Sequence, residues 1–297
     1  MNKLGVHAFV WEHGWSREQA TRAINKTAEA GFDFIEASSM DPSTFDPPFT
    51  VKQLEAAGIG IAFSFGLGFE SDISSTDPEK EKRGKALLLE QIALCRDCGG
   101  KSIAGILYSG FGKYYVQPTP DGIARSVAIL REVAEVAAKS DIDLCLEVVN
   151  RYETNILNTA AQGVEMCKRI DAPNVKVHLD VYHMNIEESD IPTAIVDTGP
   201  YIGYFHTGDS HRGYLGSGSI DLQGVFRAIV RAKYEGPITF ESFSSRVVGQ
   251  PLEGILGIWR NLWDDGFDLA THALMYTKAQ LKAAQEVERQ AERSRLP

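Results

Sequence analysis

The chain has 297 residues, of which 43% are hydrophobic and 24% are charged, and its formal net charge is −10 at pH 7. This composition excludes a disordered or collagen-like protein, and the length suits one large α/β barrel or two average domains. Because the charge is acidic, and no stretch approaches the roughly 18 consecutive apolar residues of a membrane span, we expect a cytoplasmic protein with neither nucleic-acid nor membrane partners.

Short apolar segments alternate with longer amphipathic ones along the chain, which is typical of repeated βα units. The predicted strands are residues 4–10, 32–37, 59–65, 102–108, 143–149, 175–180, 202–206 and 238–241. The predicted helices, cap residues included, are 16–31, 50–57, 77–99, 119–138, 159–170, 191–197, 221–232 and 252–262. Capping signals mark several helix ends, such as the capping box that begins at Ser16 and the glycine stop at Gly31.

Eight βα units are the number that closes into a barrel whose strands are covered by helices. We therefore predict one α/β domain over residues 1–297, a (β/α)8 TIM barrel with an extra C-terminal helix at about 268–293. The apolar side of this last helix would pack across the barrel or on a second subunit. A solvated terminal helix is equally compatible with its pattern.

Four consecutive predicted strands end in residues that can carry chemistry. Glu147 lies near the end of the fifth strand, and Asp180, His206 and Glu241 end the next three. Because side chains alternate along a strand and the neighbours of these four residues are apolar, all four should point into the barrel. Since a TIM barrel builds its active site at the carboxyl ends of its strands, we expect the four side chains to converge there.

Three carboxylates and an imidazole that are buried together need a compensating charge, because each unpaired charge would cost several kcal/mol. A divalent cation supplies that charge, and oxygen ligands with one nitrogen suit manganese, magnesium or cobalt. The alternative is pairing with a lysine or arginine inside the barrel. Those four strands hold only Lys176, about 13 Å from Asp180 at roughly 3.3 Å per residue, so the pattern favours the metal.

Other polar residues follow the same strand ends in loops. Glu153, His183 and Arg212 are the candidates for a functional role, although a surface ion pair or a solvated loop would explain such residues as simply. Another group, on or near other strands, either lines the pocket or packs in the core. Its members are His7, Phe9, Trp11, Ser64, Tyr108 and Phe111.

Several longer runs resemble the ketose 3-epimerases, a family that includes D-tagatose, D-allulose (psicose) and L-ribulose 3-epimerases. They are LEVVNRYE at 146–153, LDVYHMNIEE at 179–188 and FHTG at 205–208. The segments SHRGYLG at 210–216 and IWRNLW at 258–263 are most similar to the L-ribulose 3-epimerase branch.

The resemblance implies a metal-dependent (β/α)8 enzyme, a homodimer or homotetramer, that interconverts free ketoses at carbon 3. Examples are L-ribulose with L-xylulose, D-tagatose with D-sorbose, and D-fructose with D-allulose. The implied cofactor is a divalent ion, Mn²⁺ first and Mg²⁺ or Co²⁺ as alternatives. Glu147, Asp180, His206 and Glu241 match the family's metal ligands, Glu147 and Glu241 its catalytic pair, and Glu153, His183 and Arg212 its substrate contacts around carbons 1 and 2.

This chemistry agrees with the predicted geometry. Inverting carbon 3 requires proton exchange on both faces of the sugar, and Glu147 and Glu241, three strands apart, could flank it. We therefore predict proton exchange through a cis-enediolate whose charge a cation stabilises. An aldose–ketose sugar isomerase on the same metal-binding barrel is the alternative. A metal-dependent phosphodiesterase and a noncatalytic sugar-binding protein are more distant ones.

Overall fold

The structure, a computed structural model, describes residues 2–39 and 41–294. Eight parallel strands form a closed barrel in chain order, with β8 paired to β1. The strands are β1 Leu4–His7, β2 Phe34–Ser38, β3 Gly60–Ser64, β4 Ser102–Gly105, β5 Asp143–Val148, β6 Val175–Asp180, β7 Ile202–Thr207 and β8 Ile238–Phe240. The prediction of a (β/α)8 TIM barrel is confirmed.

Helices connect the strands and follow the last of them. They are α1 Arg17–Ala30, α2 Pro47–Ala57, α3 Pro78–Asp97, α4 Pro120–Ala138, α5 Ala160–Ile170, α6 Val181–Glu187, α7 Ile191–Thr198, α8 Leu222–Arg231, α9 Leu252–Leu256 and α10 Gly266–Arg293. Side chains cap most of them: the Ser16 hydroxyl accepts a hydrogen bond from the Gln19 N–H, and Gly31 ends α1 with φ 88°. Within the described part of the chain, no helix is both long and apolar enough to cross a membrane.

The structure differs from the predicted elements at several points. Strand β4 ends at Gly105 and not at residue 108, and α2 begins at Pro47 and not at residue 50. The first strand ends at His7, because the His7 side chain accepts a hydrogen bond from the Phe9 N–H and begins a 3₁₀ turn. The predicted helix 252–262 is wrong beyond Leu256, since Gly257 adopts a left-handed φ of 67° and ends α9. Helix α6 was not predicted; it begins directly after β6, where the Asp180 side chain accepts a hydrogen bond from the Tyr182 N–H.

The C-terminal helix α10 packs on the barrel, against α1 and α8. Its inward side is buried and consists of alanine and leucine, including Leu269, Ala273, Leu274 and Leu281. Burial of such a stripe stabilises the helix by roughly 25 cal/mol per Å² of apolar surface. The helix therefore packs across the barrel, and the alternative of a solvated terminal helix is wrong.

A small apolar layer fills the inside of the barrel below the polar strand ends. Phe34, Ala62, Ala104, Cys145 and Tyr204 are buried against one another there. They come from alternate strand positions that point inward, while the larger core lies between strands and helices. The polar cluster lies next to this layer, towards the carboxyl ends of the strands.

Gly105 ends β4 with φ 122°, and a Cβ atom added to it would lie 2.2 Å from the backbone oxygen of Phe65. We expect Gly105→Ala to destabilise the folded protein by more than about 1 kcal/mol, because both the backbone strain and the clash must be relieved. The midpoint of thermal unfolding measures this loss. Gly58→Ala is the matched control, since Gly58 has φ 70° with nothing within 4 Å of the added atom. Equal losses in the two variants would contradict the argument.

Candidate active site

The carboxyl ends of β6, β7 and β8 bring three predicted site residues together. Asp180, His206 and Glu241 are 0%, 1% and 7% exposed. The His206 Nδ1 atom lies 3.5 Å from Glu241 Oε2 and 3.7 Å from Asp180 Oδ2. An extra residue at Gly203 shifts the register between β6 and β7, so that beyond it His206 pairs with Asp180.

Glu147, on β5, joins this cluster from the other side. Its Oε1 lies 3.6 Å from His183 Nε2, and its Oε2 lies 3.8 Å from His178 Nδ1. Among the described residues, Glu147 groups with Asp180 and His183 at a spacing that a metal ion could bridge. The four residues predicted at the strand ends therefore lie in overlapping groups at the mouth of the barrel.

The donor atoms of this cluster fit a divalent cation. The Asp180, His206 and Glu241 group is fully buried, with ligand atoms within 4.8 Å of one another. The His206 Nδ1 atom is buried and has no hydrogen-bond partner in the structure as described. A lone imidazole nitrogen beside carboxylate oxygens is the ligand set of a Mn²⁺, Mg²⁺ or Co²⁺ site.

Arg212, from the loop after β7, contacts the same carboxylates. Its Nη1 donates to Asp180 Oδ2 at 2.8 Å and to Glu241 Oε2. Its guanidinium also lies 3.9 Å above the centre of the Tyr182 ring. In the alternative to a metal site, a basic side chain inside the barrel pairs with the acids, and Lys176 was the only candidate in those strands. The basic residue that contacts the acids is instead Arg212, from a loop. The acids are thus partly neutralised by the protein itself.

His183 and Glu153 are held in place by one asparagine. The Asn150 backbone N–H lies 3.2 Å from His183 Nδ1, and its side-chain amide 2.9 Å from that atom. The same amide donates to Glu153 Oε1 at 2.8 Å. Two donors of Asn150 thus meet Nδ1, while the Nε2 atom faces Glu147 and lies 3.3 Å from Arg212 Nη2. The residues predicted from the loops therefore border the cluster.

Burial and neighbouring charges drive the pKa values of the cluster apart. Burial raises the pKa of Glu147 well above its usual range, and the charges of Glu241 and Asp180 add to this against the opposing effect of His206. Burial also acts to raise the pKa of Glu241, but Arg212 and His206 outweigh it and lower that pKa. Without a metal ion, the Glu147 carboxyl group therefore favours the protonated form and the Glu241 carboxyl group the ionised form.

A cavity opens above the cluster, and His7 is among the residues that line it. Both Glu147 and Glu241 line it, as do Ser64 and Phe111. The residues that border the cluster also line it: Glu153, His183 and Arg212. Phe9, Ile106, Phe243, Leu252 and Leu256 form an apolar part of its wall.

Two residues proposed for either the pocket or the core lie in the core. Trp11 is buried, and its indole N–H donates to the Thr27 hydroxyl at 3.0 Å. Tyr108 is fully buried, and its hydroxyl donates to the Glu147 backbone oxygen at 2.8 Å. Tyr108 therefore supports the strand end that carries Glu147 from behind.

Comparison with known proteins assigns a family to this site. A family model described as a xylose isomerase-like TIM barrel matches residues 24–272. The ketose 3-epimerase of Arthrobacter globiformis is 43% identical over 286 residues, covering 96% of this chain and 99% of that protein. The L-ribulose 3-epimerase of Mesorhizobium japonicum is 44% identical over 284 residues, covering 96% of each chain. The chain belongs to the ketose 3-epimerase family.

A solved structure supports this assignment for the epimerase. The crystal structure of a D-allulose 3-epimerase from Methylomonas sp. in complex with D-allulose superposes with a TM-score of 0.92 at 41% identity. The match covers 94% of this chain and 97% of that one. The chain is therefore an enzyme of the carbohydrate epimerase class, as the resemblance implied.

Sequence reasoning missed one buried acid of the epimerase. Glu36, on β2, is 0% exposed, and both of its oxygens approach His206 Nε2. The signal was present, because an acid between Ile35 and Ala37 in an apolar strand is as unusual as those on the later strands. The prediction of inward-pointing polar side chains covered only the last four strands.

Proposed function

We propose that the enzyme epimerises free ketoses at carbon 3, with a divalent ion held by Glu147, Asp180, His206 and Glu241. Manganese is the proposed ion, with magnesium or cobalt as alternatives. The observation that carries the proposal is the overlap of the candidate metal groups: Asp180, His206 and Glu241 form one, and Glu147 shares Asp180 or His206 in the others. Both Glu147 and Glu241 also line one cavity. L-ribulose is the first substrate to test, because the relative from Mesorhizobium japonicum carries that name.

Glu147 and Glu241 act as the acid/base pair in this proposal. They come from β5 and β8, three strands apart, so a sugar in the cavity would have one carboxyl group towards each face of carbon 3. One of the two glutamates takes the proton from carbon 3, and the other returns one to the opposite face. In the reverse direction the roles exchange. A cation held by the cluster would supply stabilisation of the negative charge on the enediolate.

The bordering residues position the sugar. Arg212 offers N–H groups, His183 offers a ring nitrogen, and Glu153 offers a carboxylate to the oxygens around carbons 1 and 2. Among the described residues that line the cavity, Arg212 is the only lysine or arginine, and two carboxylates already pair with it. A phosphate group would find little compensating charge there, which supports a free sugar as the substrate.

The decisive test is the position at which solvent hydrogen enters the product. The Mn²⁺-loaded enzyme is incubated with L-ribulose, D-tagatose or D-fructose in deuterated water, and the products are read by NMR. We expect deuterium at carbon 3 together with the epimeric ketose. Protein stripped with EDTA is the control, and its activity should return with Mn²⁺. Label at carbon 1 with an aldose product would identify an isomerase instead, and no label with any ketose would refute the proposal.

A further inference from the structure

Glu36 is a buried carboxylate inside the barrel that the proposed reaction does not use. It is on β2, and its Oε1 and Oε2 atoms lie 3.0 and 2.9 Å from the Nε2 atom of His206. The Tyr204 hydroxyl donates to Glu36 Oε2 at 2.7 Å, and the Thr239 hydroxyl lies 2.8 Å from that of Tyr204. His7 approaches to 3.8 Å from the cavity side.

This arrangement determines which nitrogen of His206 carries a proton. An ionised carboxylate only accepts hydrogen bonds, so Nε2 must be the donor. The opposite nitrogen, Nδ1, then points at Asp180 and Glu241 with its lone pair available when the ring is neutral. Because both Glu36 oxygens contact the same nitrogen, the ring is also held against rotation.

Packing alone does not account for a charge at this position. The side chain points into the barrel from between Ile35 and Ala37, where an apolar residue would fill the space without loss of hydration. A buried carboxylate costs several kcal/mol unless partners compensate it. The partners here are His206, through Nε2, and the Tyr204 hydroxyl, so the charge is directed at a candidate ligand.

We propose that Glu36 is a positioning residue that orients His206 and keeps the proton on Nε2, so that Nδ1 is presented to the divalent ion. This inference rests on the proposed function, since that function places the ion beside Nδ1. Partners of metal-binding histidines typically contribute about 10- to 100-fold to metal affinity. Glu36 acts through His206 and need not touch the sugar.

Two substitutions at position 36 separate the charge of Glu36 from its hydrogen bond. Glu36→Gln keeps an oxygen that can accept from Nε2 but removes the charge, whereas Glu36→Met removes both. We expect the dissociation constant of Mn²⁺, measured by electron paramagnetic resonance, to rise about 10-fold in the first variant and about 100-fold in the second. Asp72→Asn is the matched control, because Asp72 is also buried and accepts a bond from a tyrosine, Tyr114, at 2.5 Å. Its Mn²⁺ affinity should not change.

A second readout is independent of the metal. In protein with ¹⁵N-labelled histidine, the hydrogen-bonded Nε2–H of His206 should give a solvent-protected NMR signal that Glu36→Gln retains and Glu36→Met loses. Unchanged Mn²⁺ affinity in folded Glu36→Met protein would overturn the inference about Glu36 and leave the proposed metal site intact. Failure of the wild-type enzyme to bind any divalent ion would overturn the proposed metal site. In that case the Nε2–H signal would test whether Glu36 positions His206. Absence of the signal from the wild-type protein would refute the positioning role.

Discussion

Glu241→Gln should lower kcat by about 10²- to 10⁴-fold, and Glu147→Gln should do the same, because each removes one of the two groups that exchange a proton with carbon 3. Glutamine is close in size to glutamate and keeps one oxygen, so the fold should survive the change. Steady-state kinetics with L-ribulose measures the loss. Since both glutamates are also proposed ligands, Mn²⁺ content must be measured on the same samples.

Proton exchange without inversion distinguishes the acid/base role of each glutamate from its role as a metal ligand. A variant that lacks one carboxyl group but keeps the ion should still remove the carbon 3 proton of one epimer from the intact side. We therefore expect Glu147→Gln and Glu241→Gln to exchange carbon 3 hydrogen with deuterated water for opposite epimers, with little product formed. Loss of exchange with both epimers in a metal-loaded variant would contradict the two-base arrangement, and full turnover would exclude the residue as acid or base.

Glu153→Gln is the matched control for these variants. Glu153 lines the same cavity, and its Oε1 accepts a hydrogen bond from Asn150, but it lies outside the candidate metal groups of the described residues. Its loss should act mainly on KM, because the role proposed for it is to hold the sugar. Metal content should remain that of the wild type.

The alternation rule was sufficient to predict where Glu147, Asp180, His206 and Glu241 meet. It depends only on the two-residue period of a strand and on the closure of eight parallel strands, both of which are visible in the sequence. The same rule would have identified Glu36 had it been applied to β2. The sequence of β2 therefore contains the same signal for Glu36 that the later strands contain for their polar residues.

The contacts of Arg212 could not be predicted in this way. The residue lies in a loop with a left-handed φ of 63°, and its backbone oxygen accepts a hydrogen bond from the Ser242 hydroxyl on the neighbouring loop. That conformation depends on residues distant in sequence, so spacing alone carries no signal for it. The break of α9 at Gly257 had a local signal, but the apolar spacing that continued to Trp263 concealed it.

Arg212→Met should destabilise the metal-free protein by about 3–5 kcal/mol, the usual cost of removing one partner from a buried ion pair. Arg212 is 8% exposed, and its guanidinium pairs with Asp180 and Glu241, which would remain buried without it. Methionine keeps much of the side-chain volume, so the loss reports the charge more than packing. Urea denaturation in the presence of EDTA measures it.

Arg246→Met is the matched control, because Arg246 pairs with Asp264 at 3.1 Å while the two side chains are 67% and 89% exposed. An exposed ion pair contributes at most about 1 kcal/mol, so this variant should unfold almost like the wild type. The contrast between the two arginines separates a buried charge from a surface one. Equal losses of stability in the two variants would show that the buried Arg212 ion pairs contribute no more than an exposed pair.

The loss in Arg212→Met should also depend on pH. Burial acts to raise the pKa of Asp180, but Arg212 is the strongest opposing influence and the net pKa is well below its usual value; the pKa of Glu241 is also lowered. Lowered carboxyl pKa values contribute stability above the unfolded values near 4, and this stability is lost as the pH falls through the folded values. The difference between wild type and variant should therefore narrow below about pH 4.

Added Mn²⁺ should reverse much of the destabilisation in Arg212→Met. Arg212 Nη1 contacts Asp180 Oδ2 and Glu241 Oε2, the same two oxygens that face His206 Nδ1, so the guanidinium and an ion would compete for them. Removing the arginine leaves the carboxylates to the ion alone. We expect the rise in unfolding midpoint on adding Mn²⁺ to be larger in the variant than in the wild type, because binding to the folded state alone stabilises it by mass action. Equal rises would mean that Arg212 and the ion neutralise different groups.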